Sequence, residues 1–173
     1  IGQSVMVAAL FTLIETGALI AIIFGAFFSP DIDFTRMTEI LPDEVSFSWL
    51  AAMAPAMLLA FFAFVGFEDM VNVAEETRNP KRNMPLAILI TLLVSTLIYM
   101  AVASVAVLAV PLTELAAAGA PLGLVFGAVT PFSPRLVSAV GVVATLNGVI
   151  VQIIMASRVL YGLARMGDLP AFL

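Results

Sequence analysis

A chain of 173 residues that is 62% hydrophobic and 11% charged, with a mean hydropathy of +1.16, is not a soluble domain, in which charged residues make up about a quarter of the total. With no Cys and no His, disulfides, zinc clusters and thiol or imidazole catalysis are excluded. A net charge of −5 offers no basic surface to nucleic acid, so the composition points to an all-helical protein whose partner is the lipid bilayer.

A membrane-crossing helix needs about 20 mostly apolar residues. Four stretches meet that length and place spans at about 4–28, 47–77, 84–110 and 134–162. Glu15 is the one charge inside the first, near its midpoint. An intramembrane carboxylate is costly and marks function by default, which makes Glu15 a candidate proton carrier. The alternative is a structural hydrogen bond to another helix. A loop over 29–46 follows, in which Asp31, Asp33, Glu39, Asp43 and Glu44 outnumber Arg36.

The second span loses its helical pattern at Ala63-Phe64-Val65-Gly66, with Glu68 and Asp69 close behind and the exit signal Asn79-Pro80 still further on. Two carboxylates near bilayer depth are expensive. An interrupted helix accounts for them, because its broken ends bring free carbonyls and free N–H groups together near the midplane. The half before the break is expected to end in unpaired carbonyls that suit an ammonium group, and the half after it to begin with N–H groups beside Glu68. A continuous helix packed closely at Gly66 is the alternative. Glu75 and Glu76 fit ordinary pairing in water with Arg78, Lys81 and Arg82.

Those three basic residues make 77–85 a cytoplasmic loop, which leaves 29–46 and 111–133 outside. Residues 115–134 are uncharged, but Gly119, Pro121, Gly123, Gly127, Pro131 and Pro134 would cost a lipid-facing helix its backbone hydrogen bonds. A fifth span would also carry Arg158 and Arg165 to the wrong side. The stretch is therefore expected to be a re-entrant or surface-lying helical loop. In the third span Ser95 and Tyr99 read as packing. In the fourth, Asn147 is a candidate gating residue, with Thr145, Gln152 and Ser157 as hydrogen-bond glue between helices. Arg158 is expected to snorkel or to latch onto Glu75 or Glu76.

The run FFAFVGFEDMVNVAEETRNPKRNMPLAI closely resembles the sixth helix and following loop of the amino acid/polyamine/organocation permeases, and SRVLYGLARMGDLPAFL resembles their eighth helix and its cytoplasmic exit. The resemblance covers essentially the whole chain. It implies helices five to eight of a twelve-helix, inverted-repeat permease of the leucine-transporter type, with the remaining helices as partners. It further implies that Ala63, Phe64, Val65 and Gly66 form the unwound stretch whose carbonyls hold a substrate ammonium, that Phe62 is an aromatic gate, and that Glu68 is the acid just past the break. Glu15 stands where some proton-coupled members carry a Lys. The expected function is secondary active transport of amino acids or related amines across the plasma or inner membrane by alternating access, as proton symport. Exchange of one amino acid for another is the runner-up, and a non-transporting subunit is more remote. No enzyme activity, metal or organic cofactor is expected, the coupling ion being H+; an intramembrane enzyme would need an Asp pair, a Ser–Lys arrangement or a metal cluster.

Overall fold

Helix boundaries follow local chemistry throughout the computed structural model, which describes residues 2–40, 46–66, 70–71 and 77–167. The elements there are α1 (Gly2–Phe28), a 3-10 turn (Phe34–Arg36), α2 (Met37–Ile40), α3 (Phe47–Phe62), α4 (Pro80–Ala109), α5 (Leu112–Ala117), α6 (Pro121–Val129) and α7 (Arg135–Met166). Ser46 caps α3, its hydroxyl accepting from the Trp49 N–H at 3.2 Å. Pro80 and Pro121 open α4 and α6, where a missing N–H costs nothing. Gly167, at φ 81, ends α7 and closes its N–H on the Ala164 carbonyl at 3.1 Å.

The described residues are all-helical, as the composition implies. Met6–Phe28, Pro80–Ala109 and Arg135–Met166 are long and apolar enough to cross a membrane. In the stretch 47–77, expected to be broken near 63–66, the described helix is α3. α3 has 16 residues, about 24 Å of rise against about 30 Å of hydrocarbon, and it stops at Phe62 because the chain turns at 63–66. α4 starts at Pro80, ahead of the expected 84, and α7 runs past 162 to Met166. At 30 and 32 residues these two helices rise about 45 and 48 Å, so they tilt or project beyond the hydrocarbon.

The glycine- and proline-rich stretch 111–133 forms α5 and α6, and α6 buries one of its faces. Val125, Phe126 and Val129 are buried against Ile22 of α1 and Val105 and Ala109 of α4, with Ile22 and Val125 fully enclosed. The small residues permit the approach. A Cβ on Gly25 would lie 2.6 Å from the Val129 carbonyl oxygen, and one on Gly127 would lie 2.7 Å from Pro134 Cγ. Ser29 adds a hydrogen bond from its hydroxyl to the Ala128 carbonyl at 3.3 Å. Of the residues that argued against a fifth span, Gly127 and Pro134 thus serve close packing.

The loop after α1 is stitched to the same end of the molecule. The carbonyl of Leu108, in the last turn of α4, accepts the Asp33 N–H at 3.0 Å and Arg36 Nη1 at 3.2 Å, which satisfies a group that a helix terminus otherwise leaves bare. Asp33 caps the 3-10 turn, accepting from the Thr35 hydroxyl at 2.6 Å and the Thr35 N–H at 2.9 Å. Those two bonds, the hydroxyl first, hold its carboxyl below the usual range, helped by Arg36 at 3.9 Å. The core therefore sits where α1 ends, α4 ends and α6 folds back. Elsewhere each long helix buries only 6% of its most apolar window, which leaves its flanks to lipid or to further helices.

Candidate functional site

Two polar places interrupt the apolar helices. The first follows α3. Beyond Phe62 the hydrogen bonding tightens from i→i−4 to i→i−3: the Ala63 N–H reaches both the Leu59 and Ala60 carbonyls, Phe64 bonds to Phe61 at 3.0 Å, and Val65 bonds to Phe62 at 3.2 Å. The last carbonyls of α3 are thus already engaged, in contrast to the expectation of an unpaired helix end. Gly66 stands at φ +118, a region that only glycine enters without strain, and a Cβ there would meet nothing within 4 Å.

The turn faces α4 across a cavity of about 230 Å³ lined by Phe64, Val65, Ser95 and Tyr99 among others. The Tyr99 hydroxyl donates to the Ala63 carbonyl at 3.1 Å, and the Phe64 ring meets the Tyr99 ring edge to face, centroids 5.3 Å apart. Phe62 does not cover this cavity. Its ring packs edge-on to Phe61 at 5.9 Å and is 60% exposed, so in this conformation the expected gate is turned to its neighbour.

The second place lies between α1 and α7. Asn147, 6% exposed, donates from Nδ2 to Glu15 Oε1 at 3.1 Å and to Thr12 Oγ1 at 3.4 Å, while Thr12 donates its own proton to the Ala8 carbonyl at 3.0 Å. Asn147 Oδ1 is buried without a hydrogen-bond partner. Two residues chosen separately from the sequence, 132 positions apart, are therefore one unit. Turning Nδ2 towards Glu15 is the amide orientation that suits a carboxylate, which only accepts. Thr12 was not singled out from the sequence, although its position three residues before Glu15 puts both on one helix face.

Glu68 lies outside the described residues, as do Glu75 and Glu76, the expected partners of Arg158. Thr145 and Ser157 bond to carbonyls four residues back in their own helix, at 2.9 and 2.8 Å, rather than across helices. Among the described residues no three acidic side chains gather as a metal site would require. Tyr99 is the residue that sequence reasoning undervalued. A phenol inside an apolar helix needs a partner, and that requirement was the available signal.

The profile of the amino acid permease family matches residues 1–173. The chain is 31% identical over 119 residues to the branched-chain amino acid permease BcaP of Bacillus subtilis, a match covering 68% of this chain and 26% of that protein. It is 32% identical over 154 residues to the chloroplastic cationic amino acid transporter 9 of Arabidopsis thaliana, covering 88% of this chain and 26% of the relative. Over 38 residues, 22% of this chain and 7% of the relative, it is 53% identical to the aspartate-proton symporter of Bacillus subtilis. The chain spans about a quarter of the length of the first two. No solved structure matches it. A turn after α3 that is bonded to α4, a carboxylate–amide pair joining α1 to α7, and a family profile matched from end to end agree: the chain belongs to the amino acid permease family.

Proposed function

We propose that this chain forms the helix-five-to-eight part of a secondary active transporter that carries amino acids or related amines across the cell membrane by alternating access, driven by protons. The observation that supports the substrate class is the turn at 63–66, where α3 stops inside an apolar stretch and the backbone that follows lines a cavity. Carbonyl oxygens in a site poor in water suit the three donors of a primary ammonium. The relatives' names support the reading, since branched-chain, cationic and aspartate substrates differ in side-chain charge and share an α-ammonium. Backbone carbonyls read that shared group and ignore the rest.

Glu15 is the coupling group in this proposal. As a carboxylate it draws a charge-assisted hydrogen bond from Asn147 Nδ2 that ties α1 to α7. A proton taken up on Glu15 converts that bond to a weaker neutral one and lowers the cost of sliding α1 against α7. Release of the proton on the other side restores it. The substrate ammonium stays at the turn throughout, and no covalent bond is made or broken. Glu68, directly past the turn in sequence, is the second acid of the proposal. The aspartate-proton symporter among the relatives lends support to proton coupling.

The test uses the intact permease in proteoliposomes. An inward proton gradient is expected to drive accumulation of a labelled amino acid above equilibrium, and a protonophore to abolish it. Uptake that needs amino acid inside the vesicle and ignores the gradient would establish an exchanger instead. Absence of saturable amine uptake would remove the transport reading altogether.

A further inference from the structure

A polar atom buried without a partner is destabilising, and among the described side chains Asn147 Oδ1 is such an atom. This chain itself covers it, so a donor from another helix of the intact protein could reach it only by displacing the packing of α1 against α7. The partner has to come from groups already there. The Thr12 and Thr145 hydroxyls are given to the Ala8 and Gly141 carbonyls of their own helices. Thr16, next to Glu15 in sequence, does not bond the atom either. Glu15 is the remaining candidate. As a carboxylate it only accepts, so Nδ2 serves it at 3.1 Å and Oδ1 has nothing to receive; once protonated, its second carboxyl oxygen becomes a donor. No cation competes for it from the elements packed on α1. α6 carries no charged residue, Lys81 and Arg82 stand in the first turn of α4, and Tyr99 gives its hydroxyl to Ala63. In α7, Arg135 and Arg158 are about 18 and 16 Å along the helix from Asn147, with Tyr161 and Arg165 beyond.

We infer that Asn147 Oδ1 is the second half of a proton site: when Glu15 is protonated, its O–H donates to Oδ1 while Asn147 Nδ2 goes on donating to the other carboxyl oxygen, and acid and amide close face to face through two hydrogen bonds. This deepens the reading in which Glu15 is the coupling group and rests on it. A carboxylic acid and a primary amide are matched for the purpose, since each presents one donor and one acceptor side by side in one plane. The movement required is a turn of the amide about its Nδ2 contact. A proton from water forms one O–H bond at Glu15 Oε2 and neutralises the carboxylate, its release breaks that bond, and no other covalent bond changes. Proton uptake thus satisfies two groups at once, the new O–H and the orphaned Oδ1. The paired form also agrees with easier sliding of α1 against α7 after protonation. Separating the charged pair strands a carboxylate in a dry interface, whereas separating acid from amide leaves two neutral groups.

The experiment records infrared difference spectra, acid minus neutral, of the intact permease reconstituted in proteoliposomes with carbon-13 at its asparagine side-chain carbonyls. The band of the protonated Glu15 carboxyl is the one lost in Glu15→Gln. Together with it, one labelled amide carbonyl band is expected to move to lower frequency, because Oδ1 gains a donor, and that shift is expected to vanish in Glu15→Gln. With no bond to Oδ1, protonation only weakens the Nδ2 bond, and the amide band stays in place or moves to higher frequency. Thr16→Val removes the rival hydroxyl and is expected to leave the downshift intact. Should Glu15→Gln fail to reach the membrane, Asn147→Leu makes the same assignment: the labelled band is lost, and the carboxyl band moves to higher frequency because its O–H has lost its acceptor. A Glu15 band without the amide downshift, a downshift abolished by Thr16→Val, or no titration of Glu15 over the range in which the protein stays folded overturns the inference. Uptake by the same vesicles separates it from the transport reading. A downshift accompanied by uptake that ignores the proton gradient leaves the two-residue proton site standing and overturns the coupling role, whereas gradient-driven uptake without a downshift overturns the site alone.

Discussion

A carboxylate in the middle of an apolar helix is destabilising unless a donor offsets its desolvation, and in α1 that donor is the Asn147 amide. Glu15→Gln keeps the shape and an acceptor for Nδ2 but removes titration. It is expected to preserve substrate exchange and to reduce gradient-driven accumulation by about tenfold, a coupling of roughly 1.4 kcal/mol, in a side-by-side proteoliposome assay. Because Glu15 and Asn147 are one unit, Glu15→Gln and Asn147→Leu are expected to be non-additive by about 0.5–3 kcal/mol when thermal stability or accumulation is read in a double-mutant cycle. Independent effects would show that the pair does not couple. Gly66 makes a different point. A Cβ meets nothing within 4 Å at either Gly66 or Gly162, yet only Gly66 has φ +118. Gly66→Ala is therefore expected to cost about 1–3 kcal/mol of backbone strain and to impair uptake, whereas Gly162→Ala, in the interior of α7, is expected to be neutral or mildly stabilising. Equal uptake by the two variants would mean that the turn can re-form around an alanine.

At the scale of elements, the contact between α1 and α6 is set by the space that Gly25 leaves. Gly25→Ala would drive a methyl to 2.6 Å from a backbone oxygen that cannot rotate away, so the melting temperature of the intact protein is expected to fall, with a loss of about 1–3 kcal/mol. A wild-type melting curve would show that the helices slide apart freely. The 3-10 turn at Phe34–Arg36 is sensitive to acid. Its Asp33 cap has a carboxyl held below the usual range by Thr35, so that contribution is present at neutral pH and is lost as pH falls through the lowered value of the folded state. A spin label near the turn is expected to gain mobility in acid, and Asp33→Asn to remove most of that pH dependence. Much of this level was readable beforehand. Length and hydropathy place α1, α4 and α7 within a few residues, and Pro121 with Gly123 and Gly127 argue against a fifth span. That the same stretch supplies the core was not readable, because Val125 and Phe126 are buried by Ile22 and Val105, contacts that periodicity within a segment does not contain. In the same way the sequence marks Ala63–Gly66 as a break, yet nothing local says that the partner of Ala63 is a phenol on another helix.

For the molecule as a whole, charge placement predicts an orientation with the basic residues at 77–85 and at Arg158 and Arg165 on one side, and the acidic loop 29–46 on the other. These 173 residues contain no Cys, so single cysteines at Asp31 and Lys81, in the intact protein with any cysteines elsewhere replaced, are expected to label from outside and only after permeabilisation, respectively. The reverse pattern would invert the topology. Packing is equally one-sided. α1, α4, α6 and α7 close together at the end bearing the 3-10 turn, while α3 buries none of its residues and meets α4 at the turn that follows it. The distance along the chain between Glu15 and Asn147 also bears on biosynthesis. With 132 residues between them, a ribosome working at about 5–20 residues per second takes roughly 7 to 26 s to deliver the amide after the carboxyl. During that interval the first helix must wait at the insertion machinery or in the bilayer with its acid unpaired, so every newly made copy passes through a stage in which the group assigned to transport is a liability for assembly.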